Sequence, residues 1–538
     1  VKKWQSKQQL TDLLCSLVEY PSVTGTNAEI AIFEYLYYIL EDREYYQKHP
    51  SHLKLHPLDD GRQFLSALVK NGQAKETLVL IAHADVVSVQ DYGSLTNLAF
   101  YPKELTQELH KHIDELPEDA VKDLQSGNWI FGRGTMDMKA GLTVHLSLLE
   151  KAMNGEFDGN LLLIAVPDEE ANSEGMLASL PVLDQLKEEH NLTYKAAVNT
   201  EPMFSKYPGD PAYYMYTGSI GKALPGFLCY GKETHAGEPF GGLNANLMIS
   251  YLAKELELNE AFIEEVDEDR TPPPISLMQK DLKEEYSVQT PQAAVTMYNV
   301  LFMKQSINEI NEKLLNAAER AKKNIIEHYY KQSAYYLKND QKSSFEPKIQ
   351  VLTYQQLYEE AVKRYGEGEV KRRINLLIKQ RNQGDRDFST TLVRTLASLC
   401  KDISPMMVLF YSPPFYPSVS SHHDPMIKKI AGFAREYAKK EFGVDVVTQE
   451  YFPGLSDLSF IGPVTTSSSI KQLVEQMPIQ DKGFSLPSNL MESVTMPIIN
   501  IGPLGKDPHQ WTERLELTYS FEKLPVLLNE CFHQLFNS

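Results

Sequence analysis

Apolar positions fall into two textures along the chain. Leu10, Leu13, Leu14, Leu17 and Val18 recur at helical spacing before Pro21, and a second helical pattern runs from Asn27 to about Leu40. Short continuous apolar runs follow, each stopping abruptly at polar residues. Thr77 to Ala82 stops at His83, Leu161 to Val166 stops at Pro167-Asp168-Glu169-Glu170, Ala196 to Val198 stops at Asn199-Thr200-Glu201, and Ile498 to Ile501 leads towards His509. Runs of this length are what strands buried on both faces look like, and helical patterns lie between them, notably at 139–153 and 176–190. The pattern predicts an α/β domain with a mixed, mostly parallel sheet flanked by helices. In such sheets ligands bind at the carboxyl ends of the strands, and there the carboxylates and imidazoles of this chain collect.

From about Gly218 the texture changes. A strand-like segment at 219–230, a helix after Asn244, a β-like run at 293–302 and a long charged helix at 306–330 predict an inserted, smaller α+β unit. Residues 355–380 and 384–400 read as helices, and Met406 to Tyr411 resumes the buried-strand pattern, so the chain is expected to return to the first domain. The division predicted is 1–216 and 353–538 for the main domain, with 217–352 inserted between them. The acidic run 255–270 reads as a solvated face.

Composition narrows the function. With 53 Lys and Arg against 72 Asp and Glu, the formal charge of the 538 residues is −19, which opposes phosphate backbones and anionic lipid headgroups; neither nucleic acid nor a membrane is an expected partner. Cys15, Cys229, Cys400 and Cys531 are far apart and form no CxxC, against both a disulfide framework and a cysteine zinc site. No run reaches the ~18 apolar residues of a membrane span, and the first residues lack a signal-type apolar region. A soluble, cytoplasmic protein with reduced thiols is expected, its true N-terminus undetermined by the start at Val1.

The chemistry-bearing residues each admit a plain reading beside a functional one. His83 with Asp85 two residues on suits a metal ligand and the partner that orients it, or a salt-bridged histidine. Asp137, in Gly132-Arg133-Gly134-Thr135-Met136-Asp137-Met138-Lys139-Ala140-Gly141, suits a helix cap or a carboxylate shared between two cations. The pair Glu169-Glu170 follows an apolar run, where burying two like charges is costly without cations; one could bind metal while its neighbour accepts a proton from water. Glu201 and His509 complete a mixed nitrogen and oxygen set that suits zinc, cobalt or manganese.

In this order, His-x-Asp, Gly-Arg-Gly-Thr-x-Asp-Met-Lys, Asp-Glu-Glu, Thr-Glu-Pro, Thr-His-Ala-Gly-x-Pro-x-x-Gly-x-Asn-Ala and a late His, the motifs resemble the dinuclear metallohydrolases that include aminoacylase, acetylornithine deacetylase, succinyl-diaminopimelate desuccinylase and carboxypeptidase G. The resemblance implies a zinc-exopeptidase-like catalytic domain with an α+β lid, and two divalent metal ions, zinc first and cobalt or manganese as alternatives. It makes His83, Asp137 and Glu201 ligands of one ion and Asp137, Glu170 and His509 ligands of the other. Asp85 would orient His83, and Glu169 would be the general base that deprotonates a metal-bridging water. His235 resembles the lid histidine that reaches the scissile carbonyl oxygen, in some members from the partner subunit, so a homodimer through the lid is expected. The implied reaction is hydrolysis of an amide bond in a small peptide or N-acyl-amino acid.

Other elements fit more loosely. Gly454-Leu455-Ser456-Asp457 resembles the family's substrate-side loop, with Gly454 and Asp457 as substrate-binding residues, and reads equally as a turn followed by an Asp cap. His422-His423-Asp424 before Pro425 reads as the start of a helix, and His145 as a satisfied core histidine. Asp85 and Asp137 lie 52 residues apart, which predicts an added helical excursion at 88–128. The lid arginine by which many relatives hold a substrate carboxylate has no clear counterpart; Asn299 stands near that place and Lys304 is the nearest cation. The enlarged lengths resemble an arginine-utilisation branch of the family, which implies a role in arginine or amino-acid catabolism. Two rival classes remain: a catalytically silent metal- or ligand-binding relative, against which Glu169 speaks, and a di-metal phosphoesterase, for which Arg133 and Lys139 are the only obvious cations.

Overall fold

The computed structural model describes residues 3–207, 209–267, 269–337, 343–464 and 469–537. The chain divides into two compact units: Val1–Ile220, Val419–Val464 and Asn489–Ser538 form the first, Gly221–Ser418 and Thr465–Ser488 the second.

The first unit is built on an eight-stranded mixed sheet. Its spatial order is Leu53–Pro57, Gln63–Val69, Asn160–Val166, Glu76–His83, Thr193–Asn199, Ile498–Asn500, Tyr213–Tyr216 and Val446–Gln449. The four central strands from Asn160–Val166 to Ile498–Asn500 run parallel. The expected buried runs are these strands: Leu78, Leu80 and Ala82 join one continuous core with Leu161, Leu163 and Ala165, while the intervening Val79, Ile81, Leu162 and Ile164 are equally buried. Helix Lys139–Met153 packs on Glu76–His83 and Asn160–Val166, and helices Lys7–Val18 and Leu524–Phe536 pack on that helix. Ser6 and Gln9 close a reciprocal capping box that starts Lys7–Val18.

The excursion between Asp85 and Asp137 is helical, as its length predicts. It holds the helices Pro102–Leu109 and Glu118–Ser126 and gathers a small core of its own around Leu95, Leu105, Leu109 and Leu124, closed by Phe131. It delivers the chain to Trp129–Phe131, the outer strand of a three-stranded sheet with Arg514–Glu516 and Gly505–Lys506.

The second unit carries a five-stranded sheet ordered Ile275–Asp281, Ala293–Phe302, Gly221–Tyr230, Met406–Tyr416 and Gln350–Thr353. Helices Ala245–Leu256 and Ile307–Leu337 pack on one another, and Asp385–Leu399 packs on Met406–Tyr416 and Gly221–Tyr230. Here the structure corrects the expected boundary. The chain does not return to the first unit at 353; Met406–Tyr416 pairs with Gly221–Tyr230 inside the second sheet, and the return comes at Val419. A fully buried strand reads alike in either sheet, so its run could not say which sheet it joins.

His52 precedes the edge strand Leu53–Pro57 of the first sheet, and His56 lies within it. His52 meets the Tyr45 hydroxyl at 2.9 Å and packs against His190 and His49, with ring centroids 5.0 and 5.2 Å away. Burial, then the charges of His190, His49, Lys70 and Lys54, push it down to about 4. His56 stacks on Phe64 and lies 2.8 Å from Ser66 Oγ; burial, then Lys54, push it down to about 4 as well. Unfolded, both titrate near 6.5, so the unfolded chain binds more protons between these values. The stability these residues contribute is complete above about 6.5 and is lost as pH falls towards 4. A His52→Gln/His56→Gln variant should therefore show a flatter fall of unfolding midpoint than the native chain between about pH 7 and pH 4.5. Parallel curves would rule out this proton linkage.

Candidate metal centre

Parallel strands place their carboxyl ends together, and the register decides which residues meet. His83 ends its strand opposite Val166, and Ile81 stands opposite Asn199, so His83, the 167–170 turn and the 200–201 turn emerge side by side. Gly141, on the helix that follows Asp137, presses on the 200–201 turn: a Cβ there would lie 2.3 Å from the Thr200 carbonyl oxygen. Gly502 approaches from the other side, where a Cβ would lie 1.7 Å from the Glu201 carbonyl oxygen. His509 comes from the turn joining Gly505–Lys506 to Arg514–Glu516, and Asp137 from the chain leaving Trp129–Phe131. The Asp137 and His509 segments thus belong to one small sheet.

The six side chains His83, Asp137, Glu169, Glu170, Glu201 and His509 come together. His83 Nε2 lies 3.2 Å from Asp137 Oδ1, 3.7 Å from Glu201 Oε1 and 3.8 Å from Glu169 Oε2. His509 Nε2 lies 3.1 Å from Glu170 Oε1 and 3.3 Å from Asp137 Oδ2. Asp137 therefore turns one oxygen to each histidine. Three groups have ligand atoms within 4.8 Å of one another: His83/Asp137/Glu201, Asp137/Glu170/His509 and His83/Glu169/Glu170. The last puts Glu169 within ligand reach as well.

Asp85 does more than orient His83. His83 Nδ1 lies 3.0 Å from the Asp85 backbone oxygen and 3.5 Å from Asp85 Oδ1; an N–H at that position leaves the Nε2 lone pair facing the carboxylates. The Asp85 carboxylate also accepts the backbone N–H groups of Glu169 and Glu170, at 3.1 and 3.3 Å, and the Thr24 hydroxyl at 2.8 Å. One side chain thus fixes both the imidazole and the double-glutamate turn.

The electrostatics follow from crowding. Burial, opposed by His83 and reinforced by neighbouring carboxylates, pushes Glu169 and Glu201 well above the usual carboxylate range. Burial also raises Glu170. Asp137 goes the other way: burial works to raise it, but hydrogen bonds from His509 and His83 hold it below its ordinary value. Hydrogen bonds to Asp137 and Glu170 in turn lift His509 to about 10. Without cations such a cluster must hold protons, and two imidazoles with several carboxylates form a donor set that fits divalent metal ions.

The remaining predicted residues separate. His235 is exposed and belongs to the second unit; its Nδ1 accepts the Gly237 N–H at 3.0 Å. Gly454 is half-buried, with the Phe452 and Phe204 rings over it. Asp457 is almost wholly buried, and its charge helps to raise Glu169 and Glu201. Burial, opposed by the Ser173 hydroxyl and His83, pushes Asp457 itself up to about 7. The cap expected there is supplied by Ser456, which accepts the Leu458 N–H. His145 is a core histidine 3.3 Å from Thr200 Oγ1, and Asp424 caps helix Pro425–Phe442. Arg133 is buried against Glu513 and Asp91, and Lys139 donates to the Leu17 and Tyr20 carbonyls, so both cations expected of a phosphoesterase are already engaged.

Sequence reasoning missed the supports beneath the cluster. Arg62 Nη1 lies 2.6 Å from Asp168 Oδ1, and its other nitrogens reach Asp60 and Glu174. Buried Glu29 accepts the Asp168 N–H at 3.1 Å and the Gly25 N–H at 2.6 Å, and burial pushes it up to about 7. Glu513 accepts the Met136 and Asp137 N–H groups, at 3.2 and 3.4 Å. These partners are distant in sequence and belong to no short motif.

The chain resembles known proteins over nearly its whole length. The chain is 50% identical to protein YqjN of Bacillus subtilis, over 98% of this chain and 96% of that protein. It is 31% identical to protein RocB of the same organism, over 99% and 95%. Its fold matches the crystal structure of a metallo-carboxypeptidase, Sso-CP2, from Sulfolobus solfataricus with a TM-score of 0.53 and 13% identity, over 98% and 99% of the two chains. Residues 109–470 match the profile described as Peptidase family M20/M25/M40; that span includes Asp137, Glu169, Glu170, Glu201 and His235, and His83 and His509 lie outside it. By this match and by its nearly full-length relatives, the chain belongs to peptidase family M20/M25/M40.

Proposed function

We propose that the protein is a dinuclear metal-dependent hydrolase that cleaves the amide bond of a small peptide or N-acyl-amino acid. The observation that carries this reading is Asp137, whose two oxygens face two different histidines, each completing a separate group of potential ligands. His83, Asp137 and Glu201 would hold one ion, and Asp137, Glu170 and His509 the other. Two divalent cations there, zinc first and cobalt or manganese as alternatives, would polarise the carbonyl and lower the pKa of the attacking water.

The chain's own residues supply the remaining steps. Glu169 takes the proton from water and returns it to the leaving nitrogen. Asp85 keeps the His83 ring turned to the cluster and holds the Glu169 and Glu170 amides. His235, whose Nδ1 accepts the Gly237 N–H, is the residue this reading assigns to the oxyanion, through an Nε2–H donor. Gly454 and Asp457 belong to the substrate side of this reading, and the lid unit to a homodimer. A role in arginine or amino-acid catabolism rests on the enlarged length and texture of the chain. No helix among the described residues is long and apolar enough to cross a membrane, and the four cysteines are buried and free, as suits a reduced compartment.

Dipeptides, arginine-containing ones included, and N-acyl-amino acids offered to the Zn²⁺, Co²⁺ and Mn²⁺ forms test the reaction. Glu169→Gln should lower kcat by about 10²–10⁴-fold while both ions stay bound; full turnover would remove Glu169 as the base. His83→Ala should bind fewer ions, read by elemental analysis after dialysis against buffered metal. An unchanged content of two ions per chain would overturn the assignment of His83. Two tightly bound ions with no turnover of any amide would favour a binding role instead.

A further inference from the structure

The excursion 88–128 has no part in the chemistry above, yet its charged residues reach two of the three segments that carry the second group of ligands, those of Asp137 and His509. Helix Glu118–Ser126 sets Asp119 and Asp123 one turn apart on one face. Both receive Arg514, whose side chain is fully buried: Nη2 donates to Asp119 Oδ2 at 2.6 Å and Nε to Asp123 Oδ2 at 2.7 Å. The same guanidinium donates through Nη1 to Asp507 Oδ2 and to the Thr512 carbonyl. Lys506 Nζ adds a contact of 2.8 Å to Asp123. Asp507 opens the turn that carries His509, and both residues hold left-handed backbone angles, φ +57° and +61°. Thr512 Oγ1 closes this turn on Asp507 Oδ2 at 2.7 Å. The His509 side chain is half-exposed, so the turn beneath it rather than close packing sets its direction.

The other end of the excursion holds Asp137. Asp91 receives Arg133 Nη2 on both oxygens, at 2.9 and 3.0 Å, and Arg133 Nη1 donates to Glu513 Oε2 at 2.8 Å. The second oxygen of Glu513 accepts the Met136 and Asp137 N–H groups. Buried guanidinium groups are favourable only when paired and hydrogen-bonded in good geometry, and each arginine here is matched by acids from the excursion and from the ligand segment together.

We propose that the excursion is the positioning element of the second ion's site: Asp119 and Asp123 set His509 through Arg514 and Asp507, and Asp91 sets Asp137 through Arg133 and Glu513. The proposal rests on the assignment of Asp137, Glu170 and His509 as ligands of one ion. His83 and Glu201, at the ends of sheet strands, do not depend on these contacts, so the two ions should respond differently when the excursion is altered.

The test is an Asp119→Asn/Asp123→Asn variant, with the half-exposed single change Asp119→Asn beside it and Glu118→Gln/Lys122→Gln, an exposed ion pair on the same helix, as control. Titration of chelator-treated protein with Zn²⁺ against a competing indicator reads both affinities, and the visible spectrum of the Co²⁺ form reads the geometry of the sites. The double variant should bind one ion about 10-fold more weakly, the order expected when a group supporting a ligand is removed. The other ion should bind as in the native chain, and the turnover lost should return at high free Zn²⁺. The control should behave as native; the metal-free double variant should unfold at a lower midpoint, because buried Arg514 loses two of its carboxylates, whereas Asp119→Asn alone, at a half-exposed acid, should keep a midpoint close to native while weakening the same ion. Native affinity for both ions in the double variant, or equal weakening of both, would overturn the proposal. His509→Ala run in parallel separates the two levels. If it keeps both ions, the ligand assignment itself fails; if it loses one while Asp119→Asn/Asp123→Asn loses none, only the positioning role fails.

Discussion

Burying several carboxylates side by side is costly unless each finds donors or cations. The first unit places Asp85, Asp137, Glu169, Glu170 and Glu201 around two imidazoles at the carboxyl edge of its sheet, and the surrounding structure answers that demand. Asp85 is held below its ordinary value despite complete burial, because His83, Thr24 and the amide of Glu170 all donate to it. Burial and the charges of neighbouring carboxylates raise Glu169 and Glu201, although His83 opposes the rise.

The ligand segments are anchored by charges outside the cluster. Arg62 and Glu29 hold the oxygen and the amide of Asp168, next to the double glutamate. Glu513 holds the Asp137 amide, and Asn500 donates to the Glu201 carbonyl at 3.1 Å. Three of these contacts fix backbone, and the fourth, from Arg62, fixes the Asp168 side chain. A carboxylate in a turn keeps its direction only if the turn does, and a shift of about 1 Å at a catalytic group can cost orders of magnitude in rate. Several of these anchors are themselves buried charges paired with other buried charges, so removing one partner would strand the other.

The sequence made the centre legible because two local signals coincided: buried strands read as continuous apolar runs, and the polar residues that end them sit where ligands bind in parallel sheets. His83, the double glutamate and Glu201 share that signature. Asp137 and His509 lie after glycine-rich or turn-rich stretches and were legible through motif order. What stayed hidden was long-range pairing. Glu513 lies nearly four hundred residues from Asp137, and nothing local to Arg62 or Glu29 distinguishes them from ordinary surface charges. The domain boundary was misplaced for a related reason, since the apolar run of Met406–Tyr416 records burial and not partnership. Asp457 followed the same logic: a Gly-Leu-Ser-Asp string reads as an exposed turn, whereas the chain buries that carboxylate close enough to the centre to raise its neighbours.

The two groups of ligands therefore rest on different foundations. His83 and Glu201 end strands whose positions are fixed by hydrogen-bond registers on both sides, with tight glycine contacts pressing on the Glu201 turn. His509 stands on a hairpin turn with two left-handed residues, tied to the molecule through the buried guanidinium groups of Arg514 and Arg133. Register in a central strand changes only if the sheet comes apart, while a charge-held turn can be retuned by changing a single acid. An insertion between Asp85 and Asp137 can thus act on His509 without touching His83 or Glu201. Asp137 joins the two foundations, with its oxygens serving both groups and its amide held by Glu513, so any adjustment transmitted through Arg133 would reach the first group only by way of that one carboxylate.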